Sequence, residues 1–149
     1  MKKNVLCLCA ALLALVLTGC GAALELGAEN TLETDADPNA AMIALTDTLT
    51  PTGVTVRVDN DTGEDLASGN RYDLALQAEQ DGRWYAIETG EWSNTAEAQI
   101  FAPGETEVEL SWADSYGALP KGRYRVVKGF WPVAAGETPL YLAAEFTLE

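Results

Sequence analysis

Residues 107–128 read EVELSWADSYGALPKGRYRVVK, and the alternation in this stretch decides the fold. Val108, Leu110 and Trp112 alternate with Glu107, Glu109 and Ser111. A loop with Gly and Pro follows, and then Tyr124 and Val126 alternate with Arg123 and Arg125. Successive side chains of a strand point to opposite faces, so a strand with one dry and one wet face reads this way, and a helix does not. The same period recurs outward along the chain. Val54, Val56 and Val58 alternate with Thr55, Arg57 and Asp59, Tyr72, Leu74, Leu76 and Ala78 with Asp73, Ala75 and Gln77, and Leu140 to Leu148 keeps the rhythm to the end.

Turn chemistry separates the runs. Gln80-Asp81-Gly82-Arg83 places Asp-Gly between two strand-like segments, which signals a hairpin. Ala102-Pro103-Gly104-Glu105 has the Pro and Gly of a type II turn. The pattern predicts about eight strands, near 41–49, 53–60, 71–79, 83–88, 97–102, 106–112, 123–130 and 139–148. An all-β chain of short antiparallel strands argues for a two-sheet sandwich.

Leu119-Pro120-Lys121-Gly122-Arg123-Tyr124 looks like the tyrosine corner of Greek-key sandwiches, in which a phenol bonds back to the loop backbone. The longer stretch Ser111 to Lys128 resembles bacterial immunoglobulin-like domains of Gram-positive secreted and surface proteins, whose late strands carry Tyr-Gly-x-Leu-Pro-x-Gly-x-Tyr-Arg, two apolar residues and Lys. Asn60 to Glu64, Gly82 to Tyr85 and Ala144 to Leu148 match that group as well, so the resemblance spans roughly 41–149. It implies an immunoglobulin-like antiparallel β-sandwich with Greek-key topology and no defined activity. The connection from Trp131 to Pro139 departs from the group's pattern.

The N-terminus carries a different message. Met1-Lys2-Lys3-Asn4 precedes an apolar run from Val5 to Thr18, too short to span a bilayer comfortably and shaped like a signal peptide. Leu17-Thr18-Gly19-Cys20 resembles the bacterial lipobox. That resemblance implies cleavage of residues 1–19 and lipid attachment at Cys20, with the protein held on the extracytoplasmic face of the cell membrane. Two or three acyl chains on one residue would hold nearly permanently. Cys7 and Cys9 lie in the signal, so no thiol is left for a disulfide or for catalysis. Residues 20–40 are acidic, lack cations and read as a flexible tether, with the domain proper at 41–149.

Charge and composition narrow the function. The chain has 23 acids, nine cations and no His. With Lys2 and Lys3 removed, the seven remaining cations leave a net charge of −16. Such a surface repels nucleic-acid phosphates. Without His, free Cys or a glycine-rich phosphate loop, the expectation is a non-enzyme with no cofactor.

The candidate contacts are few. Trp92 and Trp131 fall in expected loops, where flat aromatics meet ligands, whereas Trp84 and Trp112 read as core. Lys121, Arg123, Arg125 and Lys128 cluster in a chain poor in cations, as an anion site or as partners for acids on neighbouring strands. Asp59 to Asp65 is a solvated turn or a calcium loop outside the EF-hand pattern, since counting from Asp59 puts Asn70, not Glu, at the twelfth position. The expected role is a lipid-anchored structural or interaction module contacting an envelope protein through sheet edges or end loops. The alternative is a carbohydrate- or cell-wall-binding lipoprotein.

Overall fold

The computed structural model describes residues 24–89, 96–134 and 138–149. Within them run β1 (Leu26–Glu29), β2 (Ala40–Ala44), β3 (Gly53–Asn60), β4 (Leu66–Gly69), β5 (Ala75–Gln80), β6 (Arg83–Ile87), β7 (Ala98–Phe101), β8 (Gly104–Ser111), β9 (Gly122–Pro132) and β10 (Leu140–Leu148). One sheet has the order β1-β6-β5-β9-β4-β7, with β10 also on β9, and the other has β2-β3-β8. All pairings are antiparallel. β3 and β8 are neighbours although four strands separate them in the chain, which is the crossing pattern of a Greek key.

The alternation read from the sequence sets the core. Val54, Val56 and Val58 of β3 face Leu76, Tyr124, Val126 and Leu142 of the other sheet in one buried cluster. Trp112 is fully buried and stacks on Phe146 with ring centroids 5.4 Å apart. Tyr124 packs on the same ring, and its hydroxyl donates to the Pro120 carbonyl at 2.8 Å, the corner bond expected from the motif. The strap of loop before it is tied to the β2–β3 connection: Trp112 Nε1 and the Leu119 N–H both donate to Pro51 O. Asp81 and Gly82 both take positive φ, as a type I′ hairpin turn between β5 and β6 requires.

Three expectations need correction. The strand expected over 71–79 starts only at Ala75, because residues 69–73 curl around a buried lysine described below. The strand expected over 41–49 ends at Ala44 and gives way to a 3-10 turn at Thr46–Thr48. Neither β1 nor β4, each four residues long, was legible as a period-two run.

The third correction concerns the acidic segment. The part of it from residue 24 to 40 is docked, not free. β1 pairs with β6, and the Asn30 N–H donates to Trp84 O. Five residues later the Asp35 N–H donates to Tyr141 O, while Asp35 Oδ1 accepts from the Ala143 N–H at 3.2 Å. The chain thus passes from the β6 edge over β5 and β9 to the β10 edge. Leu32 lies along the way and lines one hollow with Ala75, Val127 and Tyr141. This explains why Val127, on the outer face of β9, is only 3% exposed. The segment looked solvated by charge, but Leu24, Leu26 and Leu32 supply apolar contacts and the open sheet edges supply hydrogen bonds.

Replacing Tyr124 by Phe keeps the ring packing and removes only the corner bond. We expect a loss of about 1 kcal/mol and a Tm lower by about 4 °C in calorimetry, with strand content unchanged by circular dichroism.

Candidate functional site

Because β9 is central in its sheet, its two faces sort the candidate residues. The outer face carries Arg123 and Arg125. Arg123 donates to Glu145 on β10, and its guanidinium lies 5.7 Å from the Trp84 ring centroid. Arg125 donates to Gln77 Oε1 at 2.6 Å and lies 4.7 Å from the same ring. Trp84 is therefore not a core residue, contrary to expectation: it stands half-buried on the outer face beneath two guanidinium groups. The bond to Glu145 raises the Arg123 pKa, whereas burial lowers that of Arg125. Both arginines hold the sheet together through side chains on neighbouring strands. Lys121 sits apart, exposed in the turn before β9.

Lys128 belongs to the inner face, in register with Tyr124, Val126 and Phe130. It is 1% exposed. Its Nζ donates to Gly69 O at 2.9 Å and to Asn70 O and Asp73 O at 2.8 Å each. A lysine at the end of the core row thus closes the β4–β5 connection by satisfying three carbonyls. Desolvation pushes its pKa down to about 8, against the pull of the Asp73 carboxylate. The four cations of the sequence cluster are accordingly split between a turn, an outer face and the core.

Trp131 is not in a loop, contrary to expectation: β9 continues to Pro132, and Trp131 stands on its outer face two residues beyond Gly129, because β4 extends the pairing there. Ala67 of β4 is paired with Trp131 on one side and with Ile100 of β7 on the other, so the three make one row across three strands. Ile100 is 53% exposed, Trp131 38% and nearby Val133 54%. Gly129 keeps the row open: a Cβ there would lie 3.3 Å from the Tyr141 ring and 3.5 Å from that of Trp131. Ser68, Asn70, Asp73 and Glu97 edge a groove of about 360 Å³ beside Trp131. The row was invisible in the sequence because Ala67 and Ile100 belong to short strands, and only their register on β9 aligns them.

A second opening lies where the two sheets part. β7 ends the large sheet and β8 ends the small one, and a cleft of about 440 Å³ between them is lined by Arg71, Ala98, Gln99, Glu107, Val108 and Glu109. Arg71 spans its mouth with a 3.1 Å bond to Glu109.

The Asp59–Asp65 loop is organised from within. Asn60 is 1% exposed, its amide donates to Glu64 O and Phe101 O, and its Oδ1 accepts from both the N–H and the hydroxyl of Thr62. Asp59 pairs with Arg57 at 2.8 Å. Among the described residues no group of three or more Asp, Glu, His or Cys side chains converges as a metal site would require. Cys20 and Trp92 lie outside the described residues.

A family model described as a bacterial Ig-like domain matches residues 36–147, well over half of the chain. No curated protein and no solved structure matches it.

The lysine cage makes a prediction of its own. Lys128→Met should leave three carbonyls without a donor and cost about 3 kcal/mol in denaturant unfolding. Because burial holds the folded-state pKa near 8, below the ordinary 10.5, the unfolded chain binds the proton more tightly between those values. The group's contribution to stability should therefore rise with pH from about 8 to 10.5, and the gap between the native protein and Lys128→Met should widen over that window. A gap that stays constant with pH would place the folded value at the ordinary one.

Proposed function

The chain belongs to the bacterial Ig-like domain family, and from that premise we propose that it is a lipid-anchored extracytoplasmic module that binds another envelope protein without turnover. The observation that carries this reading is the exposed apolar row of Ile100, Ala67 and Trp131 on an otherwise acidic domain. An apolar row kept in water is a contact surface. Its setting in the fold supports the same role. The chain enters the domain along the β6 edge, through β1, and β7 lies at the far end of that sheet.

With residues 24–40 docked, only residues 21–23 separate the proposed lipid site at Cys20 from the folded chain. Three or four extended residues reach about 13 Å. The leash is then short, the β1–β6 end is nearest the membrane, and the β7 end with Ile100 points outward.

The second reading, a carbohydrate-binding surface, draws on one feature, the pairing of Trp131 and Tyr141 around Gly129. Two rings flanking a bare backbone make a shallow sugar-sized seat, with Asn70 and Asp73 at its border.

Three measurements test these proposals. Cells fed a labelled fatty acid should label the protein, and Cys20→Ala should abolish the label and release the chain from the membrane fraction. A photocrosslinker at Ile100 should capture an envelope protein on intact cells, while one at Thr55, on the opposite sheet, should not. A saturable quench of Trp131 fluorescence by cell-wall glycans, lost in Trp131→Ala, would replace the protein reading with the sugar reading.

A further inference from the structure

Hydrogen-bond parity along β8 exposes something the family does not specify. The Leu45 N–H donates to Thr55 O, so the odd residues of β3 direct their backbone groups toward β2 and the even ones toward β8. The β3–β8 ladder therefore uses Gly104, Thr106, Val108 and Leu110. The N–H and C=O of Glu105, Glu107 and Glu109 point the other way, into the cleft beside β7. The Ser111 N–H confirms the direction, since it donates to Arg71 O on that side at 3.4 Å.

Two open edges of the large sheet are covered. β1 pairs with the β6 edge, and Asp35 clips the β10 edge. β8, eight residues long, has no strand partner on its outer side among the described residues. Arg71 bounds this free edge at Ser111, and the Ala102-Pro103 corner bounds it at Gly104. The Arg71 Nε is buried there without a partner among the described residues.

We propose that the free edge of β8 over Glu105–Glu109 is a strand-addition site for an extended partner segment in which basic and apolar residues alternate. A strand laid along this edge gains backbone bonds from three residues of β8. Its side chains alternate between the cleft, floored by buried Val108, and the outer face. On the outer face they stand beside Glu105 and Glu107, with Glu109 already bonded to Arg71 at the end of the edge, and opposite charges side by side stabilise a strand pair. The same three glutamates exclude a second copy of this chain, because two β8 edges would set acid against acid. The inference goes beyond the Ile100–Trp131 row: it concerns a different edge and stands or falls without it.

The test follows amide hydrogen exchange by NMR on the full-length protein in neutral detergent. A synthetic peptide of about seven residues alternating Lys and Val should slow exchange at Glu105, Glu107 and Glu109. A peptide of the same composition with its alternation scrambled should not. Glu107→Pro removes an N–H that β3 does not use, as edge strands tolerate, and should weaken binding by up to about tenfold. Should that variant fail to fold, Glu107→Lys should shift preference toward an alternating Glu–Val peptide. Equal protection by the scrambled peptide, protection confined to other edges, or an unchanged preference in Glu107→Lys would each overturn the proposal.

Discussion

The ladder between β9 and β10 is the interaction on which the rest of the molecule depends. It runs unbroken from Gly122↔Leu148 to Phe130↔Leu140, the longest pairing in the fold. It fixes which residues of β9 face inward, and so sends Tyr124 to the corner and Lys128 into the core. It also fixes which carbonyls and amides of β10 remain open on the other side, where Asp35 closes them. On the opposite edge of β9, β5 and β4 follow one another, pairing with residues 124–127 and 130–132. The Lys128 cage sits where one hands over to the other. A buried ammonium there holds the end of β4 and its connection to β5 through three carbonyls, at a place where unpaired carbonyls would be costly.

Sheet edges explain much of the remaining architecture. Every strand at an edge exposes a row of donors and acceptors that can pair with a stranger. Here the N-terminal segment protects the large sheet twice, first as a strand on β6 and then as a single clip on β10. Its acidic residues keep it soluble, and its leucines hold it in place. The outer edge of β8 has no strand partner among the described residues, and it carries three glutamates. The contrast between covered and uncovered edges gives the domain a polarity, with the entry of the chain at one end of the large sheet and the open cleft at the other.

Four of the seven cations after residue 20 hold the fold together: Arg123 on Glu145, Arg125 on Gln77 and Trp84, Arg57 on Asp59, and Lys128 on backbone. The exposed large apolar side chains are Ile100, Trp131 and Val133, with Ile43 and Leu32 elsewhere on the surface.

The sequence by itself determined the sandwich, the hairpin at Asp81-Gly82, the burial of Trp112 and the corner bond of Tyr124. Each of these depends on local periodicity or on a turn that demands particular backbone angles, and both are written in consecutive residues. Tertiary structure decided the rest. Whether Trp84 is core or surface depended on which face of β6 turns to the second sheet. Whether residues 24–40 float or dock depended on distant open edges that composition does not show. That Lys128 is a core residue while Arg123 and Arg125 are not follows from parity along β9, but its three partners come from a loop more than fifty residues away. The Ile100–Ala67–Trp131 row and the free edge of β8 exist only through register between strands far apart in the chain, and register is a property of the assembled sheet.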